Sequence, residues 1–252
     1  MTNNKGFTEN WILRSLPADQ RERLGPHLLG VNLKFGEVLY EPGDSIRNVY
    51  FPNSGLVSLL SMDEEGRRIE VAMAGVEGMV GTVGALGCSE IPYQAMVQGE
   101  GTAFTLEADI LKREIDRGGQ LRESVDRYTG ALLAEISQSA SCAIFHSIRQ
   151  RLSRWLLTAQ DRARLDRFQL TQEFLSEMLG CRRQGISEAI AALLETSVIL
   201  YDRCCVTIVD RRGLESSACG CYWSASASHR DYIKASFQKS LYEVSAAGRT
   251  SR

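Results

Sequence analysis

The residues best suited to chemistry form a short polar run after a glycine, between two amphipathic segments. The first segment spans residues 170–179, Gly180 interrupts the pattern, and the second segment spans residues 183–194. Two short helices joined by a glycine turn predict a helix-turn-helix, whose second helix enters the major groove of DNA. Arginine can contact guanine, glutamine adenine and glutamate cytosine. The second helix begins with the candidate DNA-contacting residues Arg182, Arg183, Gln184, Ser187 and Glu188.

Further residues could hold the DNA backbone. Thr171 and Gln172 open the first helix, where side chains and backbone N–H groups can bind a phosphate. Residues 198–201 and 206–209 are β-rich and predict a hairpin, which would be the wing of a winged helix, with Arg203 at its tip. We expect Arg203 to contact phosphate. The alternative is a helical hairpin that binds nothing and has a solvated polar face.

The elements before this motif change character along the chain. Residues 7–25 are expected to be helical, and residues 31–106 contain short β-rich runs divided by turns, which predict a small barrel or jelly roll. A short helix is expected at 107–117 and a long one at 121–145. The predicted fold class is α+β. Four parts are expected: a helix and roll at residues 1–117, a dimerisation helix at 118–146, a winged helix-turn-helix at 147–215 and a C-terminal tail at 216–252.

The long helix predicts a dimer. About 25 residues of helix extend ~37 Å, which is more than a small barrel can cover. Packing on the chain's own barrel is the alternative. Apolar and small residues recur at steps of three and four along the helix, and the expected dimer contacts are Leu121, Val125, Tyr128, Leu132, Ile136 and Ala140.

The composition is typical of a folded protein that is neither secreted nor inserted into a membrane. The chain has 252 residues, 44% hydrophobic, with a net charge of −2. Residues 146–213 contain 11 arginines, no lysine and 8 acidic residues, a charge of +3 that leaves −5 for the rest. No apolar run approaches a membrane span, and residues 1–10 have no apolar signal core. We therefore expect a cytoplasmic protein that does not contact a membrane.

The cysteines and histidines predict neither a metal site nor a cofactor. Seven cysteines, an odd number, indicate reduced thiols. Cys219 and Cys221 are the closest spaced pair, but the usual zinc spacing is not met even with the thiols of the wing. Cys142 and His146 share a helix face, which predicts packing, and His27, His146 and His229 do not cluster in the sequence. The sequence contains neither a phosphate-binding loop nor a nucleophile motif, so we do not expect an enzyme.

The order roll, long helix and winged helix resembles the CRP/FNR family of bacterial transcription regulators over roughly residues 20–215. The resemblance also rests on residues 36–44, GEVLYEPGD, on residues 55–57, GLV, and on the helix-turn-helix. It implies a homodimer on a two-fold symmetric DNA site, an effector-sensing roll, and base contacts at Arg183, Gln184 and Glu188. RNA polymerase is a further candidate partner. The family's usual arginine-glutamate-arginine set is not kept, and no cysteine precedes Cys88 to bind an iron–sulfur cluster as in some members.

The resemblance places a candidate effector pocket in the roll. Family members that bind cyclic nucleotides have a glycine-glutamate pair, then an arginine beside a small hydroxyl residue about ten positions later. Here Thr82 follows Gly81 in place of the glutamate, and Tyr93 or Gln94 replaces the arginine. No cation occurs between residues 68 and 112, and a buried phosphate without one is costly. We expect a different effector or none; a glycine-lined anion site and a simple barrel corner both remain open.

These expectations give one principal function and one alternative. The principal function is sequence-specific binding of double-stranded DNA by a homodimeric transcription regulator. The alternative is an effector- or redox-responsive dimeric interaction module that does not contact DNA bases.

Overall fold

The structure, a computed structural model, describes residues 9–224. Most of the predicted tail therefore lies outside the described residues. None of the described helices is long and apolar enough to cross a bilayer. The roll contains α1 Trp11–Arg14, α2 Ala18–Leu24, β1 Leu29–Leu33, β2 Val38–Tyr40, β3 Asn48–Pro52, β4 Leu56–Met62, β5 Arg68–Ala74, α3 Thr82–Ala85, β6 Gln94–Gly99, β7 Gly101–Glu107 and α4 Ala108–Asp116.

The predicted β-roll is confirmed. Its strands form two antiparallel sheets, ordered β1-β7-β3 and β2-β6-β4-β5. Both sheets contribute apolar side chains to one core, among them Phe51, Leu59 and Leu106. The expected helix at 7–25 is two helices in the described part, because Pro17 has no N–H to continue the first one and instead precedes the first residue of α2.

The remaining elements form the long helix and a second, smaller fold. They are α5 Gln120–Phe145, α6 Ile148–Ala163, β8 Arg167–Gln169, α7 Gln172–Met178, α8 Arg183–Glu195, β9 Ile199–Asp202, β10 Cys205–Ile208 and α9 Arg211–Ser217. Apolar faces of α6, α7 and α8 meet the three-stranded β8-β10-β9 sheet in a second core, which Leu56 and Met73 of the roll also join. The predicted winged helix-turn-helix is therefore confirmed as a fold.

The first half of α5 packs on its own roll, which corrects part of the dimer prediction. Leu121, Val125, Tyr128 and Leu132 are buried in the core of the roll. Their apolar spacing reflects this intrachain contact, so they are not available to a second copy. The Tyr128 ring fills the space beside the backbone of Gly78, where an added Cβ would lie 2.1 Å from a ring carbon.

A buried ion cluster joins the roll, the long helix and the winged helix. Arg162 of α6 pairs through Nη2 with Glu135 of α5 at 2.6 Å and through Nε with Glu77 of the roll at 3.0 Å. Its Nη1 also donates to the Met73 carbonyl of β5 at 2.6 Å. All three charged residues are buried. Because each comes from a different part of the chain, the cluster fixes the three parts against one another.

Candidate nucleic-acid interface

The two helices of the turn are held together by capping and by one polar contact. The Thr171 hydroxyl accepts a hydrogen bond from the Phe174 N–H at 3.0 Å and so caps α7. The Ser187 hydroxyl of α8 donates to the Gln172 side chain at 2.6 Å. Thr171 stays exposed, whereas Gln172 and Ser187 are only half-buried. Gln172 and Ser187 thus connect the two helices close to the surface.

The beginning of α8 presents the predicted polar residues to solvent. Arg182 is its N-cap residue, and Arg182, Arg183 and Gln184 are all exposed. The Gln184 Nε2 donates to the Glu188 carboxylate at 3.0 Å, one turn later on the same face. This bond orients both side chains and leaves hydrogen-bonding capacity on each. Ile186 and Ile190 anchor the opposite face of α8 in the core.

The predicted wing is a tight hairpin. Strands β9 and β10 pair from Ile199 with Ile208 to Asp202 with Cys205, which leaves Arg203 and Cys204 as the turn. Both turn residues have positive φ, 46° and 63°, as a two-residue turn of type I′ requires. Arg203 is exposed at the tip. The turn therefore carries a cation outward from a rigid pair of strands.

The helix-turn-helix also contacts the roll of its own chain. Arg68 of β5 pairs with Glu177 of α7 at 2.6 Å. The turn at Gly180 lies so near Ile69 that an added Cβ would approach its side chain to 2.8 Å. A cleft of about 740 Å³ separates the two surfaces, and Arg182 lines it together with Arg68, Glu177 and Gly180. Arg182 therefore faces the roll as well as solvent.

The predicted effector residues divide between the interior of the roll, where Gly81, Thr82 and Tyr93 lie, and the cleft that faces the helix-turn-helix, which Gln94 lines. The Tyr93 ring packs against the roll core, and burial raises the pKa of its hydroxyl to about 12. The Thr82 hydroxyl is buried and donates to the Met79 carbonyl at 3.2 Å. Gln94 instead donates to Glu41 at 2.8 Å and lines the cleft facing the helix-turn-helix. Gln94 therefore lies on a different surface of the roll from Tyr93, and the effector pocket stays a prediction.

The second half of α5 carries an exposed apolar face. Ile136 and Ala140, predicted for the dimer, lie on this exposed half. The sequence analysis missed Leu133, Ile144 and Phe145, which are 58%, 75% and 76% exposed. Leu133 lies three residues before Ile136 and Ile144 lies four residues after Ala140, so this spacing could have identified these two residues. The stronger apolar pattern in the first half of α5, which packs on the roll, concealed this spacing.

Comparisons with known proteins match both halves of the chain. The family of Crp-like helix-turn-helix domains matches residues 150–217. The family of cyclic nucleotide-binding domains matches residues 31–117. No curated protein matches the chain.

Solved structures share the fold at low sequence identity. FixK2 from Bradyrhizobium japonicum has a TM-score of 0.65 at 14% identity, covering 77% of this chain and 98% of its own. The c-di-GMP responsive global regulator CLP from Xanthomonas campestris has a TM-score of 0.61 at 15% identity, with coverage of 76% and 99%. A CRP-family transcriptional regulator from Thermus thermophilus has a TM-score of 0.62 at 20% identity, with coverage of 75% and 96%.

Proposed function

The chain belongs to the CRP/FNR family of transcription regulators, and from that premise we propose that it binds a palindromic DNA site as a homodimer. The observation that carries the proposal is the beginning of α8, where Arg183, Gln184 and Glu188 are exposed on a helix anchored by its opposite face. We assign base contacts to these three residues. Thr171, Gln172 and Ser187 near the α7 cap, with Arg182 and Arg203, contact the phosphates and neighbouring groups.

The exposed half of α5 supports a dimer with a shifted interface. Leu133, Ile136, Ala140 and Ile144 follow one another at steps of three and four residues, so they lie on one side of the helix. Pairing this face with a second copy buries apolar side chains that are otherwise in water. Two α8 helices would then sit in half-sites about 34 Å apart.

The dimer is tested by changing this face. Leu133→Glu together with Ile144→Glu places charges in the interface, and sedimentation velocity should show a monomer where the unchanged protein is a dimer. Leu29→Glu is the matched control, because Leu29 is 64% exposed on β1 of the roll. A double variant that stays dimeric would refute this interface.

The roll is proposed to respond to something other than a cyclic nucleotide, if it responds at all. Tyr128 occupies the space beside Gly78, and the Thr82 hydroxyl already donates a hydrogen bond to the Met79 carbonyl. No cation lies between residues 68 and 112 of the sequence to neutralise a phosphate. We further propose that the protein acts in the cytoplasm, without enzymatic activity, and RNA polymerase remains a predicted partner.

Selection from a random duplex library with purified protein tests the DNA function. We expect an enriched palindrome and affinity that falls steeply with salt. Arg183→Ala with Gln184→Ala should cost about 1–3 kcal/mol per lost base contact. The matched control is Arg21→Ala, which removes an exposed arginine from α2 of the roll. The alternative, a dimeric interaction module without DNA contacts, predicts no enrichment with or without cell extract and no effect of the double variant.

A further inference from the structure

Four side chains that are far apart in the sequence meet at the end of the long helix. Cys142 lies in the last turn of α5, His146 follows that helix, and Cys219 and Cys221 follow α9. The Cys142 and Cys219 sulfurs are 3.5 Å apart. The Cys221 sulfur is 3.4 Å from His146 Nδ1. One ligand atom from each residue can be chosen so that all four lie within 4.8 Å of one another.

This cluster is separate from both folded cores. Cys142, Cys219 and Cys221 are buried and form their own small group of contacts, and none of the three takes part in the proposed DNA contacts. The Gln138 amide donates to the Cys221 sulfur at 3.0 Å. All three cysteines are free thiols.

Local structure explains why the four residues converge. His146 directly follows α5, and its N–H donates to the Cys142 carbonyl at 3.3 Å, which holds it one turn beyond Cys142. Cys219 and Cys221 flank Gly220 in a turn closed by the Tyr222 N–H and the Cys219 carbonyl at 3.1 Å. The Tyr222 hydroxyl donates to Asp161 of α6 at 2.8 Å. That contact ties the turn to the helix that follows α5.

We propose that Cys142, His146, Cys219 and Cys221 bind a single zinc ion. Zinc bonds of about 2.3 Å to sulfur and about 2.0–2.1 Å to nitrogen place tetrahedral ligand atoms about 3.6–3.8 Å apart. The two measured separations, 3.5 and 3.4 Å, are already close to these values. The widest separation, within 4.8 Å, needs to narrow by only about 1 Å. Three cysteines and one histidine are an established structural zinc set, with no position left open for water.

The ligand types and spacing disfavour other occupants. Magnesium and calcium require oxygen ligands, which this set does not offer. A cluster of several irons would sit between the thiolates and push them farther apart than they are here. A disulfide between Cys142 and Cys219 would remove two of the four ligands.

The site would connect the two sides of a junction in the chain. His146 lies between the end of α5 and the beginning of α6, and its backbone is extended, with φ of −117° and ψ of 147°. An ion bound there fastens the segment after the wing to the end of the long helix. It therefore restricts rotation of the winged helix about α5, a consequence for DNA binding that rests on the proposed function.

Metal analysis of the full chain tests the site without reference to DNA. Protein purified under reducing conditions is stripped with a chelator, titrated with Zn²⁺ and analysed by mass spectrometry under native conditions. We expect one zinc per chain. Cys221→Ser and His146→Asn should each abolish binding in the presence of a competing chelator, whereas Cys88→Ser, which removes an exposed thiol, should leave one zinc per chain. Titration with Co²⁺ should give the absorption of a tetrahedral, thiolate-bound ion.

Several outcomes would overturn the site. These are no zinc in the unchanged protein, retention of zinc by both ligand variants, iron with inorganic sulfide in place of zinc, or a Cys142–Cys219 disulfide in fresh protein. Titration of the unchanged protein with Zn²⁺ tests the site directly, so the test does not depend on whether the variants fold.

A separate titration with the selected DNA site distinguishes the two proposals. If zinc binds and DNA does not, the zinc site stands and the proposed function fails. If DNA binds equally with and without zinc, the junction role is refuted.

Discussion

Removing Arg162 should destabilise the protein strongly, because it would leave two buried carboxylates without their shared cation. The guanidinium contacts Glu135 through both terminal nitrogens, at 2.9 and 2.6 Å, and Glu77 through Nε at 3.0 Å. Breaking a buried ion pair costs about 3–5 kcal/mol. Two such pairs share this arginine, so we expect Arg162→Met to lose at least that range, a large part of the about 5–15 kcal/mol of a typical domain.

Urea unfolding followed by circular dichroism, at one fixed protein concentration, measures this loss. The triple variant Arg162→Met, Glu77→Gln, Glu135→Gln removes the unpaired charges and should recover part of the stability. Arg122→Met is the surface control, because Arg122 and Asp126 form a half-exposed pair on α5 worth at most about 1 kcal/mol. A loss below about 1 kcal/mol for Arg162→Met, or a triple variant no more stable than the single one, would refute a buried charge cluster.

Three further changes have expected outcomes. Desolvation raises the pKa of Glu70 from 4.5 to about 8; the folded state thus holds a proton that the unfolded state has lost, and stability should fall as pH rises between those values. Glu70→Gln should flatten this slope in urea titrations run across that range, and an unchanged slope would rule out Glu70 as its source. Gly78→Ala forces a methyl group against the Tyr128 ring and should cost about 1–3 kcal/mol in thermal unfolding, whereas Gly130→Ala, in open space on α5, should not destabilise. Thr171→Ala removes the α7 cap and should cost about 1 kcal/mol by urea unfolding; no loss would contradict the capping role.

Local sequence patterns predicted most of the fold because their causes are local. The glycine break before α8 and the strand pair of the wing follow from residues that are adjacent in the chain. The apolar stripe of α5 was assigned to the wrong neighbour. Periodicity marks a face that must be buried, but it does not say whether the chain itself or a second copy covers it.

The candidate sites depended on contacts between distant residues. Tyr93 and Gln94 are adjacent, yet one side chain points into the roll and the other toward the helix-turn-helix. Cys142 and Cys219 are 77 residues apart, and only the packing of α9 and the turn after it brings them together. Spacing rules for zinc ligands describe short loops, so they do not detect ligands that two separate elements contribute.

The side chain of Tyr128 fills a space in the roll beside Gly78. Its ring lies against the Gly78 backbone within the sheets and is fixed to α5, the helix that leads to the junction at His146. A small molecule entering this space would have to displace the ring, which α5 carries. Shortening this side chain would leave a cavity for a small aromatic molecule, beside the Gly78 backbone and close to Glu77 of the buried ion cluster. A Tyr128→Gly variant should therefore bind phenol in place of the missing side chain.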